Sequence, residues 1–213
     1  GETMYRRLLD LYKEYQASDM TRAQFLHEAG RLPGIYCPQL YETSYKEDGT
    51  IAAFTPLYDD VPAKIDKEIV TDLDAEAAVY PLAPVVPFIK VTQDRVVLEI
   101  MRGCIRGCRF CQAGQLYRPL RERDVDELKE YASAMLKNTG HEEISLSSLS
   151  SSDYSKLPEL IDYLIEECDR KKINISLPSL RIDAFSLDVM SKVQDVKKSS
   201  LTFAPEAGTQ RMR

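Results

Sequence analysis

Histidine is nearly missing from this chain: only His27 and His141 occur among 213 residues. No Ser-His-Asp set, no phosphate-binding P-loop and no dinucleotide-binding glycine fingerprint appears, so hydrolase and nucleotide-kinase chemistry finds no support. Also missing are an apolar run long enough to span a bilayer and a signal peptide, which points to a cytoplasmic protein without a membrane partner. The opening residues do not look like a natural start. The net charge of -6 excludes a chain that binds polyanions over its whole surface. What is abundant is ordinary: 44% hydrophobic and 29% charged residues give room for a sizeable core in one domain or two.

Cysteine is scarce and concentrated. Three of five lie in Met-Arg-Gly-Cys-Ile-Arg-Gly-Cys-Arg-Phe-Cys, as Cys104, Cys108 and Cys111. Their spacing is too tight for a disulfide with a spectator thiol, because a bridge needs Cα atoms several ångströms apart in a defined geometry. One soft metal centre is the better use. Tetrahedral zinc would want a fourth soft ligand, and neither histidine is near in sequence. Three thiolates suit an iron–sulfur cluster with one iron left open to a small ligand. The other thiols read as structural: Cys37 precedes Pro38 in an irregular stretch, and Cys168 falls on a helix face with Leu160 and Leu164. His27 lies in a short helical pattern and reads as structural or solvent-facing.

With Phe110 just before the last cysteine, the C-x3-C-x2-C run resembles the cluster-binding loop of the radical S-adenosylmethionine (radical SAM) superfamily. The longer run from Met101 to Arg123, including Gln112-Ala113-Gly114 and Tyr117-Arg118-Pro119, resembles the subgroup that carries an upstream cobalamin-binding domain. The resemblance implies a [4Fe–4S] cluster held by Cys104, Cys108 and Cys111, with S-adenosylmethionine chelating the fourth iron. It implies an enzyme that cleaves S-adenosylmethionine reductively to a 5′-deoxyadenosyl radical, with an electron donor such as flavodoxin or ferredoxin and a substrate the residues do not identify. Cobalamin would enter through a domain outside this chain. Gly1-Glu2 and the helix after it resemble the end of such a domain, so residues 1–88 are expected to be a linker region following it.

Six arginines, Arg102, Arg106, Arg109, Arg118, Arg121 and Arg123, face the single acid Glu122 between Met101 and Arg123. A solvated basic loop is the plain reading; the functional one is that the arginines offset cluster thiolates and a bound carboxylate. Nucleic acid ranks lowest as a partner, because the loop is short and lacks aromatics beyond Phe110 and Tyr117.

Along the chain, Met4, Leu8, Leu11, Tyr12 and Tyr15 recur at helical spacing over residues 4–16. Thr21 with Gln24 reads as a capping box for a second helix that Gly30 would end. Tyr41, Thr43 and Tyr45 on one face, the turn Glu47-Asp48-Gly49 and a return from Ile51 to Leu57 predict a β-hairpin. Three prolines at 81, 84 and 87 mark an extended connector and the domain boundary. Beyond it, the pattern alternates. Val96-Val97-Leu98 fits a strand buried on both faces. Asp124 with Glu127 caps a helix closed by Gly140. Ile144 to Leu149 is a second strand, Leu157 to about Lys171 a helix, and Ile173 to Leu177 a third strand. Ser186 opens a further helix, and Leu201 to Ala204 is a fourth strand.

Such alternation predicts an α/β fold of parallel βα units after a small α+β region, with chemistry at the carboxyl ends of the strands. By resemblance, residues 89–213 would be the first four units of the six-stranded, TIM-like partial barrel of the radical SAM fold. Strand ends would then hold S-adenosylmethionine. Ser147, Ser148 and Ser150 lie at the carboxyl end of the second strand, Arg181 follows the third and could clamp a carboxylate, and Glu206 follows the fourth. Glu206 lies in Ala204-Pro205-Glu206-Ala207-Gly208-Thr209, similar to the Glu-Ser-Gly stretch of cobalamin-type and methylthio-transferring radical SAM enzymes. Phe110 joins this candidate set from the loop. The rival reading is a non-catalytic iron–sulfur or zinc module for structure or electron transfer.

Overall fold

A computed structural model describes residues 1–75, 80–170, 172–181, 191–194, 203–204 and 207–212. They form two compact units, one of Gly1–Thr71 with Ala75–Val79, the other of Asp72–Asp74 with Tyr80–Arg213.

In the first unit, α1 (Glu2–Gln16) and α2 (Arg22–Arg31) are the two expected helices. The capping box is complete: the Thr21 hydroxyl accepts from the Gln24 amide at 3.3 Å, and Gln24 Oε1 accepts from the Thr21 amide at 2.8 Å. Gly30 does not end α2, however; the helix runs through Arg31 and stops at Leu32 in extended backbone. Gly30 is there for packing. A Cβ on it would stand 2.2 Å from Leu40 Cδ1. The hairpin pairs β1 (Tyr41–Tyr45) with β2 (Ile51–Pro56) antiparallel, Tyr41 opposite Pro56. A register shift between Ser44 and Tyr45 leaves Ala52 of β2 without an opposite residue. Tyr41 is buried and stacks on Phe54 with centroids 4.9 Å apart, while Tyr45 is exposed. Ala29, Cys37, Leu40, Tyr41 and Val61 make the small core, and burial pushes the Cys37 thiol pKa up.

The second unit is mixed α/β, as the alternation predicts. Its elements are β3 (Val96–Glu99), β4 (Met101–Arg102), α3 (Gln112–Leu116), β5 (Arg121–Glu122), α4 (Val125–Thr139) and β6 (Glu143–Ser147). After them come α5 (Leu157–Asp169), β7 (Asn174–Ser176), β8 (Leu180–Arg181) and β9 (Phe203–Ala204). A parallel sheet runs in the order β3-β6-β7, with Val96 opposite Ile144 and Ile144 opposite Ile175. The helix signals act where the sequence puts them. Asp124 accepts from the amides of Asp126 and Glu127 at the start of α4, and Gly140, at φ 69°, closes it in the left-handed region. Leu128 and Ala132 on α4, with Leu160, Leu164 and Cys168 on α5, cluster with Val96, Leu98, Ile144, Leu146 and Ile175 of the sheet. Each fully buried leucine or isoleucine contributes roughly 1.5–3 kcal/mol.

Only one face of β3 carries that core. Val97 is 43% exposed, so the expectation of a strand buried on both faces fails. In register, Val97 lies beside Ser145, and Ser145 beside Ser176, so the sheet's second face is a row of small and polar residues. The late strands also differ from expectation. Leu180–Arg181, read as a loop after the third strand, is itself β8, and it pairs in parallel with β9 rather than leaving β9 to pair with β7. Two-residue strands have no periodicity for a sequence pattern to reveal. Of the further helix expected from Ser186, residues 191–194 are described and helical, and 182–190 lie outside the described residues. Leu201 and Thr202, at the start of the expected fourth strand, also lie outside them. Among the described residues, no helix is long and apolar enough to cross a membrane.

Candidate metal centre

The loop 103–120 leaves the carboxyl end of β3 and is closed at its base by a two-residue antiparallel ladder, Met101 opposite Glu122 and Arg102 opposite Arg121. Two further backbone bonds tie the base to the sheet: the Ile100 amide donates to Ser147 O at 3.1 Å, and the Arg123 amide donates to Ile100 O at 3.0 Å. Gly103 makes the turn into the loop. Its φ is 92°, and a Cβ would lie 2.7 Å from Tyr117 O and 2.8 Å from Pro119 O, so any side chain would meet backbone that has nowhere to move.

Below the ladder sits a charged cluster that no local pattern announces. Arg102 grips Glu99 in a fork, Nε to Oε1 at 2.8 Å and Nη2 to Oε2 at 2.9 Å. Arg123, almost wholly buried, reaches the same carboxylate at 3.5 Å, Asp74 at 3.3 Å and the Leu73 carbonyl. Its guanidinium lies 4.7 Å over the Tyr80 ring, which stacks on Tyr131 at 5.0 Å. The Tyr80 hydroxyl donates to Val97 O at 2.9 Å and accepts from the Glu99 amide at 2.8 Å, serving the edge of β3 away from β6 as a neighbouring strand would. Burial raises the pKa of Tyr80; it also lifts Tyr131, with help from Glu127, to about 12.

The three loop thiols are free and partly exposed. The Arg106 amide donates to Cys104 Sγ at 3.5 Å and the Gly114 amide to Cys111 Sγ at 3.4 Å; Cys111 is thereby the N-cap of α3, a short helix the sequence did not announce. The Cys111 amide donates to Cys108 O at 3.1 Å, which folds the last two cysteines into one turn. Among the described residues, no three His, Cys, Asp or Glu side chains are gathered closely enough to hold a metal ion as they stand. The donor set nevertheless fits a soft cluster. It offers three unpaired thiols on one loop, with backbone N–H groups directed at two of the sulfurs, the polarity that stabilises thiolate charge.

The Ser-rich turn after β6 stands over the same end of the sheet. Asp153 receives Arg106 of the loop in a two-pronged ion pair, one prong Nε to Oδ2 at 2.8 Å, and Ser150 Oγ donates to the same carboxylate at 2.7 Å. The Arg106 guanidinium holds the Asp153 carboxyl below its usual pKa, against the opposing effect of burial. Ser148 and Ser151 share a hydroxyl bond at 3.0 Å, and Ser152 Oγ accepts from the Arg181 amide at 3.2 Å. Ser150 is buried, Ser147, Ser148 and Arg181 are half-buried, and Phe110 is exposed. Glu206 lies outside the described residues. Of the loop arginines, Arg102, Arg106 and Arg123 are paired with carboxylates, and Arg121 donates to the Pro119 carbonyl at 3.1 Å. The charges of the first three are therefore largely offset within the protein. Glu99 and Tyr80 are the residues that sequence reasoning did not single out, and Asp153, read only as one polar group of the Ser-rich run, is paired with Arg106.

This loop, at the carboxyl end of a parallel strand, falls inside residues 98–213, which match the profile of the Radical SAM superfamily. The chain belongs to the radical SAM superfamily. It is 39% identical over 117 residues to an uncharacterized protein of Methanocaldococcus jannaschii, a match covering 55% of this chain and 25% of that protein. It is 25% identical over 126 residues to a protein of the same organism provisionally named a methylthiotransferase, covering 55% of this chain and 27% of that one. The match thus spans about a quarter of the length of each of these relatives. A parallel βα sheet with the radical SAM loop at a strand's carboxyl end agrees with part of such a domain.

Proposed function

We propose that this chain carries the cluster-binding portion of a radical SAM enzyme, in which Cys104, Cys108 and Cys111 ligate a [4Fe–4S] cluster and leave one iron for S-adenosylmethionine. The observation that carries this reading is the set of three free, partly exposed thiols on a loop anchored at the end of β3, within the matched family segment. When bound, such a cluster supplies the electron that splits S-adenosylmethionine into methionine and a 5′-deoxyadenosyl radical, drawn in turn from a flavodoxin- or ferredoxin-type donor. The chain's own residues orient and shield. The Met101–Glu122 and Arg102–Arg121 ladder fixes where the loop begins and ends. The amides of Arg106 and Gly114 offset charge on two sulfurs. Ser147, Ser148 and Arg181 present polar groups at neighbouring strand ends for the amino and carboxylate groups of S-adenosylmethionine.

The finer resemblance, to the subgroup with an upstream cobalamin domain, rests on the run from Met101 to Arg123 and the helix at Glu2–Gln16. The name of the methanogen relative adds methylthio transfer as a reaction class to assay. Anaerobic reconstitution with iron and sulfide tests the core of the proposal. About four irons per chain should bind, and Ala at position 104, 108 or 111 should abolish binding, whereas Cys37→Ala and Cys168→Ala should leave it intact. Adding S-adenosylmethionine should shift the electron-resonance signal of the reduced cluster. A signal indifferent to S-adenosylmethionine would leave an electron-transfer module, and a chain that holds zinc and refuses iron would overturn both cluster readings.

A further inference from the structure

Arg106 is the central residue of the three between Cys104 and Cys108, and its guanidinium forks onto a carboxylate of another strand end. Asp153 receives it in a two-pronged pair, the second prong being Nη2 to Oδ1, and the side chain of Asp153 is only 6% exposed against 29% for Arg106. A carboxylate that far removed from water stays ionised only while it is matched, and here Arg106 and the Ser150 hydroxyl supply the match. Asp153 is itself held in place. It ends the short 3-10 turn Ser151–Asp153, its amide donates to Ser150 O at 3.0 Å, and Ser152 beside it accepts from the Arg181 amide of β8 at 3.2 Å. One side chain of the loop is thereby fastened to a point shared by the ends of β6 and β8.

The two halves of the loop are held differently. Cys111 has its own tie through the Gly114 amide at the start of α3. The Cys104–Cys108 half has no helix; Ile105 at its surface is exposed, and the glycines at its two bends, Gly103 and Gly107, have φ of 92° and 62°. The pair to Asp153 joins that half to another strand end. A three-residue spacer that ends in Gly107 and follows the bend at Gly103 would otherwise sample many conformations, and ordering them at the moment of metal capture would weaken that capture.

We infer that Arg106 and Asp153 form a positioning clasp, which holds the Cys104–Cys108 half of the loop over the carboxyl end of β6 before any metal arrives and so presets two of the three thiols for a cluster. The inference rests on the proposed cluster site and adds residues to it. The clasp acts through the loop backbone; neither residue is a ligand. Its charge also has a use: the pair neutralises Arg106 within the protein, so that thiolate charge at Cys104 is offset by the Arg106 amide rather than by its guanidinium.

The test is site-resolved alkylation of the metal-free protein by iodoacetamide, with each cysteine quantified by mass spectrometry. In Arg106→Gln and in Asp153→Asn, Cys104 and Cys108 should label on the order of tenfold faster than in the unaltered chain, while Cys111 changes little, because local opening exposes only the unclasped half. Cys168, fully buried on α5, reports the core: it should stay protected in every variant. Arg106→Lys should restore part of the effect, since it keeps the charge and loses the fork. The double variant should label no faster than the more affected single one, as expected for two residues acting through one contact. Iron retention after reconstitution, challenged with a chelator, should fall in parallel. Uniform acceleration at all three loop cysteines with Cys168 still protected, or additive effects in the double variant, would overturn the clasp. If Cys168 also becomes reactive in Arg106→Gln or Asp153→Asn, Arg106→Lys decides, by the labelling rate of Cys108 relative to Cys111. Should the unaltered chain bind no iron while the alkylation pattern holds, the cluster assignment fails and the clasp stands as a feature of the loop alone.

Discussion

Leu128, Ile144, Leu160 and Leu164 in the βα layer expose none of their surface, whereas Ile105, Phe110, Leu116 and Tyr117 in the loop beside it each expose half or more. The two regions follow different physics. The layer is held by apolar area withdrawn from water, non-directional and spread over many contacts. The loop has no core of its own; it is held by a two-residue ladder, glycine backbone and forked ion pairs at Glu99 and Asp153. A region built this way can rearrange around a ligand at modest cost, while the layer keeps the strand ends fixed.

Leu164→Ala is the strongest way to break that contrast from the layer's side. It removes a side chain with no exposed surface and should cost about 3 kcal/mol, read as a lowered urea midpoint. A loss below about 1 kcal/mol would mean the helices pack far more loosely on the sheet than the burial implies. From the loop's side, Gly103→Ala should cost about 2 kcal/mol, because a residue at φ 92° would force a Cβ against two backbone carbonyls. Limited proteolysis within residues 103–120 should accelerate more than unfolding of the whole, and a variant as stable and resistant as the parent would show that the turn relaxes without strain.

The smallest effect concerns pH. Arg106 and Ser150 depress the Asp153 pKa, so the aspartate binds a proton less readily folded than unfolded. Its stabilising contribution is therefore complete above the unfolded value, near 3.9, and is lost as pH falls through the lower folded value. The stability difference between the unaltered chain and Asp153→Asn should stay level from neutral pH down to about 4 and shrink below that. A difference that widens on acidification would reverse the sign of this coupling.

Much of this protein is written locally. The capping box at Thr21, the Asp124 cap, the Gly140 stop and the i, i+4 stripe of Leu160, Leu164 and Cys168 all concern residues within a turn or two of one another, and each forms as the pattern predicts. The three-cysteine spacing is local as well, which is why the superfamily could be read from residues 101–123 before any fold was known. What the tertiary structure alone decided is every feature that joins distant segments. Arg106 meets Asp153 across 47 positions, and Arg123 meets Asp74 across 49. Tyr80 serves an edge of β3, Leu40 packs on Gly30, and β8 takes β9 as partner. Charged and aromatic partners of this kind leave no period in the sequence, because which strand ends and loops come together is set by sheet order and crossover, and only then can a buried carboxylate find the arginine that keeps it charged.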